Sequence, residues 1–137
     1  MNDAKNIGIN RVWAGNLGAV ELSLNLGFKV HGGFSLNIIN SDSVKWAERV
    51  GIEDIETSFE MTLNNISKLG GKIRRGIIAY GRLPMMITRN CPAKNGMNCK
   101  DCLGKSVLTD RKGIKFPMIC NFGCTEILNS VPLYMAD

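Results

Sequence analysis

Leu17-Gly18-Ala19-Val20-Glu21-Leu22-Ser23-Leu24-Asn25-Leu26-Gly27-Phe28-Lys29-Val30-His31-Gly32 decides the fold class. Leu17, Val20 and Leu24 stand at i, i+3 and i+7, one face of a helix. Gly15-Asn16 turns the chain and caps the start of that helix. Gly27 ends it, and Phe28 to Gly32 reads as a strand. The same unit recurs downstream. Ser41 or Asp42 starts a helix carrying Val44, Ala47 and Val50, Gly51 follows it, and Ile52 to Thr57 is the next strand. Thr57-Ser58-Phe59-Glu60 has the T-x-x-E spacing of a capping box. Phe59, Leu63 and Ile66 continue it as an amphipathic helix closed by Gly70-Gly71, and Lys72 to Tyr80 is a fourth strand. Arg11 to Ala14 precedes them all as the first.

A strand and a helix repeated three times imply parallel strands, because each helical crossover returns the chain to the same end of the sheet. The expectation is an α/β chain: a partial (βα) barrel of about four parallel strands with helices, followed by a cysteine-bearing loop and a β-hairpin. A full (βα) barrel has eight strands and typically about 250 residues. Half of one leaves open strand edges. Either the sheet closes by pairing with a second copy, or it is an open α/β sheet, or the chain is a piece of a longer protein that holds the remainder of the barrel.

The pattern changes after Gly81. Leu83 to Thr88 is an extended apolar run. Residues 90–105 read as loop, around Asn90-Cys91-Pro92, Asn95-Gly96 and Gly104. Val107-Leu108-Thr109 and Ile114-Lys115-Phe116 flank Asp110-Arg111-Lys112-Gly113, a hairpin turn. Val131 to Met135 is a last strand. A single domain over 1–137 is expected, with βα repeats over 1–81 and the cysteine loop, hairpin and last strand over 82–137.

The chain has 137 residues, 45% of them apolar and 21% charged, which excludes wholesale disorder. No run of eighteen apolar residues occurs, and Met1-Asn2-Asp3-Ala4-Lys5 has no apolar stretch behind it, so a cytoplasmic chain without membrane spans is expected. The net charge of +5 is unevenly placed. Residues 1–69 carry 6 basic and 8 acidic side chains, and residues 70–118 carry 11 and 2. A concentrated basic segment suits an anionic partner such as nucleic acid, or is a solvated face. Arg82 follows a strand end, where barrels carry function, and its planar fork matches a phosphate or carboxylate. Arg74, Arg75 and Arg89 extend that set. Arg111 joins it as an exposed hairpin charge. The alternative for Arg82 is a pair with Asp110 or Glu126.

Five cysteines occur at 91, 99, 102, 120 and 124. Five cannot all pair within one chain, and no export signal favours disulfides. Cys99-Lys100-Asp101-Cys102 offers two thiolates from one turn, with Cys91 and Cys120 on flanking segments. These four fit tetrahedral zinc or an iron–sulfur cluster. The alternative makes Cys120 and Cys124 small core residues and Cys99 and Cys102 a thiol pair or a disulfide. Cys124-Thr125-Glu126-Ile127 reads as a helical turn packing inward, which makes Cys124 the weakest ligand. His31, the lone histidine, reads as structural. There is no H-E-x-x-H, G-x-S-x-G, P-loop or G-x-G-x-x-G, and no catalytic residue is identified.

Tyr80-Gly81-Arg82-Leu83-Pro84-Met85-Met86-Ile87-Thr88-Arg89-Asn90-Cys91-Pro92 is similar to the "YGRLPLM…CP" stretch of the collagenase-like peptidase family, U-thirty-two. Leu108 to Pro117 resembles its "L-DR-G--FP" stretch, and Glu126 to Leu133 its "EILNS-PL" stretch. Ser35 to Ser41 and Thr57 to Glu60 resemble its strand ends. The resemblance implies a βα barrel of which this chain is a C-terminal half. It also implies a peptidase (some members are labelled collagenases) or an enzyme hydroxylating RNA or a quinone precursor with a four-cysteine iron–sulfur cluster. In that pattern Cys91, Cys99, Cys102 and Cys120 fall on family positions and Cys124 departs from it. The function expected is therefore a segment of a peptidase with a cysteine-bound metal, inactive alone. The alternatives are part of an RNA-hydroxylating enzyme, or a non-catalytic assembly module. The partners implied are RNA or a peptide.

Overall fold

Alternation builds the first part of the molecule. A strand points successive side chains to opposite faces. Val12 and Ala14, Val30 and Gly32, and Ile55 face one way. Arg11 and Trp13, Lys29 and His31, and Asp54 and Glu56 face the other. The structure is a computed structural model and describes residues 2–96, 99–102, 105–121 and 123–135. It divides into two compact units, Met1–Ile78 and Ala79–Asp137.

In the first unit the order is α1 (Asn2–Asn6), β1 (Arg11–Ala14), α2 (Leu17–Asn25), β2 (Lys29–Gly32), α3 (Ser41–Val50), β3 (Asp54–Glu56), α4 (Leu63–Ser67) and β4 (Arg74–Gly76). The sheet is parallel throughout, in the order β1-β2-β3-β4. It is therefore α/β with half the strands of a (βα) barrel. Among the described residues β1 and β4 each pair with one strand only. Local chemistry sets the helix starts. Asn16 Oδ1 accepts the Ala19 amide at 2.8 Å, and Asn40 Oδ1 accepts that of Ser43 at 2.8 Å. Gly51 closes α3 at φ 94°, a conformation that suits glycine. Val20, Val30, Ile38, Val44, Ala47, Ile52 and Ile55 form the core between the helices and the apolar sheet face. Each fully buried Val or Ile stabilises by about 1.5–3 kcal/mol.

Two expectations in this unit are corrected. Thr57-Ser58-Phe59-Glu60 opens no helix. The Thr57 amide and hydroxyl both go to the Gly76 carbonyl, and Thr57 bridges Ile38 as a continuation of β3. The helix starts instead at Leu63, capped by Thr62. The fourth strand ends at Gly76, and Tyr80 belongs to the next unit.

The second unit contains β5 (Tyr80–Gly81), β6 (Pro84–Thr88), α5 (Cys99–Cys102), β7 (Lys105–Thr109), β8 (Lys115–Asn121), β9 (Cys124–Leu128) and β10 (Leu133–Tyr134). An antiparallel sheet runs β6-β9-β8-β7, and β10 pairs with β5. The hairpin turn is held by Asp110, whose Oδ1 accepts the amides of Lys112 and Ile114 at 2.8 Å each. Cys124 to Leu128 is a strand, not a helical turn. It alternates half-buried and buried, with Thr125 and Ile127 inward, and pairs with strands on both sides. Only Met118, Thr125 and Ile127 are buried among this unit's described residues, so its core is thin.

Candidate functional site

In the second unit, β6 delivers the first cysteine. Thr88 Oγ1 accepts the Asn90 amide at 3.1 Å and turns the chain into Cys91. The Cys91 carbonyl accepts the Lys94 amide at 3.1 Å, opening a short 3-10 turn with Pro92 first. The sheet register delivers a second. Thr88 pairs with Thr125, which pairs with Cys120. Cys91 and Cys120 consequently line one cavity of about 620 Å³, together with Arg89 and Lys94. Neither is in a disulfide, and nor is Cys124, which stands opposite Asn121 at the turn end of the β8–β9 ladder, one pair beyond Cys120 and Thr125.

Cys99 and Cys102 begin and end the single turn of α5. Cys102 is half-buried, whereas the Cys99 side chain lies outside the described residues. Among the described residues no three His, Cys, Asp or Glu side chains gather as a metal-holding group.

The five arginines expected to bind an anion divide between the units. Arg82 Nη1 donates to the Asn129 carbonyl at 2.7 Å and also to that of Ser130. Among the described residues neither Asp110 nor Glu126 pairs with it. Arg89 lines the cysteine cavity, and Arg111 is exposed in the hairpin turn. In the first unit Arg74 Nη2 donates to Asp54 Oδ2 at 3.0 Å. Arg75 Nη2 donates to the Gly70 and Gly71 carbonyls at 2.7 Å each.

The polar face of the parallel sheet is a second candidate. Register places Trp13, His31, Asp54 and Arg74 in one row across the four strands. Arg11 donates to Glu53 Oε2 through Nη2 at 2.5 Å and Nε at 3.2 Å. That guanidinium holds the Glu53 carboxyl below its ordinary range, and Glu53 raises Arg11 in return. Asp54 Oδ1 meets His31 Nδ1, and His31 Nε2 lies 3.5 Å from Glu56 Oε1. Glu56 Oε2 accepts the Phe34 amide at 2.9 Å and the Trp13 indole N–H at 3.4 Å. From sequence His31 reads as structural, and Trp13, Asp54 and Glu56 carry no site role. The signal was the period-two alternation itself, which puts Arg-x-Trp, Lys-x-His and Asp-x-Glu on the face away from the helices.

A family model described as Peptidase family U32 matches residues 1–105. No curated protein and no solved structure matches the chain.

Proposed function

The chain belongs to Peptidase family U32, and from that premise we propose that it is a peptidase-family segment whose second unit binds a thiolate-held metal through Cys91, Cys99, Cys102 and Cys120. The observation that carries the reading is the shared cavity of Cys91 and Cys120, which stand 29 positions apart in sequence yet line one space. Soft thiolates select zinc or an iron–sulfur cluster over hard cations. Donors of that kind fit either group. The i, i+3 spacing of Cys99 and Cys102 within one turn is the spacing that lets a single segment contribute two ligands. Arg89 and Lys94 at the cavity offset the negative charge that four thiolates bring. A bound cluster supplies one-electron chemistry; a bound zinc clips the segments together.

Hydrolysis on this reading waits on more strands than the parallel sheet has. Four strands present half the strand ends that line a (βα) barrel mouth. The rest come from further chain or from a second copy.

Metal analysis of protein purified without oxygen tests the proposal. About one equivalent of zinc, or iron with a visible charge-transfer absorption, is expected. Metal-free protein with five titratable thiols would overturn it.

A second reading follows from the placement of Arg89 and Lys94 in a unit with eight basic residues: this unit faces RNA in a hydroxylating enzyme. Binding to RNA would then weaken steeply with salt. Salt-independent binding, or none, removes that reading.

A further inference from the structure

We infer that the carboxyl-end rim of the parallel sheet binds a cationic side chain, arginine or lysine, of a peptide, with Trp13 as its platform and Glu56 as its countercharge. The word peptide rests on the family reading; the cationic site rests on the rim itself.

Trp13 is 52% exposed although it sits within a strand. It is nevertheless fixed. A Cβ built on Gly33 would fall 2.0 Å from its ring atom Cζ2, so the indole lies against bare backbone that only glycine leaves free. Its N–H goes to Glu56, and Phe34 packs beside it with ring centroids 6.2 Å apart. A large exposed aromatic held in this way loses little entropy on binding, and indole is the strongest of the side-chain π faces for a cation.

Glu56 supplies the second half. The other carboxylates on this side of the sheet are neutralised: Glu53 by Arg11 and Lys29, Asp54 by Arg11 and Arg74. Among the described residues Glu56 has no Arg or Lys partner, and its ion-pair neighbour is His31 alone. Its side chain is 25% exposed. The ladder explains the vacancy. Opposite Glu56 on β4 stands Gly76, which offers no side chain. Beyond the end of β2 stands Gly33, which seats the indole. The cations Arg11, Lys29 and Arg74 all lie nearer the amino ends of their strands. A carboxylate with no Arg or Lys partner among the described residues therefore stands next to an open aromatic ring at the strand ends, where α/β sheets take their ligands.

The test follows the Trp13 indole Nε1–H signal in the full chain by NMR. Trp46→Phe identifies which of the two indole signals belongs to Trp13. Ligands are N-acetyl-arginine amide, N-acetyl-lysine amide and the neutral isostere N-acetyl-citrulline amide. Saturable shifts of the Trp13 signal with the two cations are expected at millimolar concentrations, at least ten-fold weaker with citrulline, and the Trp46 signal stays still. Binding should weaken as salt rises. Glu56→Gln keeps an oxygen for the Phe34 amide and should weaken the cations at least ten-fold without changing citrulline. Equal response to citrulline, or no saturable shift with either cation, overturns the inference. Both outcomes are read on the unmutated chain and are independent of its metal content.

Discussion

Arg82 ties two distant segments of the second unit together: its Nη1 donates to the Asn129 carbonyl at 2.7 Å, 47 positions along the chain. Ser130 accepts from the same atom, and Asn129 Oδ1 takes the Leu83 amide at 2.8 Å. The guanidinium thus holds the chain leading to β10 beside the start of β6. Arg82→Ala should lower the stability of this unit by about 1.5 kcal/mol, the lower end for a charged hydrogen bond because the side chain is exposed. Thermal unfolding of the variant measures it. Unchanged stability would show that the bond contributes nothing.

Glu48 gives the first unit an acid sensitivity. Its Oε1 accepts the amides of Ile73, at 2.6 Å, and of Lys72, just before β4. Those amides hold its pKa below the ordinary 4.5. The sign follows from linkage. The contribution is fully present above the unfolded value and is lost as pH falls through the depressed folded one. Glu48→Gln should be less stable than the parent at neutral pH, and the difference should shrink on acidification below about 4.5. A difference that does not depend on pH would contradict it.

Ile55 is completely buried in the centre of the apolar face. Ile55→Ala should cost about 2–5 kcal/mol, read from the urea midpoint. A cost under ~1 kcal/mol would mean that the helices do not pack on that face.

The open edges of the parallel sheet predict association. β1 and β4 each have one strand neighbour among the described residues, and unpaired edges template further pairing. Sedimentation of the purified chain should find a dimer or larger species. A monomer at micromolar concentration would count against closure by a second copy.

Much of this was legible in the sequence, for identifiable reasons. The helix starting at Leu17 and the hairpin turn at Asp110 are fixed by short-range capping and turn chemistry, and both stand where their residues place them. Thr57 misled because a hydroxyl that caps a helix serves equally well in a bond to the Gly76 carbonyl. Cys124 to Leu128 misled because a strand central to an antiparallel sheet draws its stability from neighbours distant in sequence. Glu56 and Trp13 were invisible as a pair because 43 positions separate them and parallel register alone brings them together.

The most direct test of the metal reading is X-ray absorption at the zinc or iron edge of the anoxically purified chain, with Cys120→Ser and Cys124→Ser alongside. The parent should show a shell of sulfur neighbours at about 2.3 Å. Cys120→Ser should lose metal or gain a light-atom neighbour, and Cys124→Ser should match the parent. A shell of oxygen and nitrogen alone, or a site lost with Cys124 and indifferent to Cys120, would contradict it.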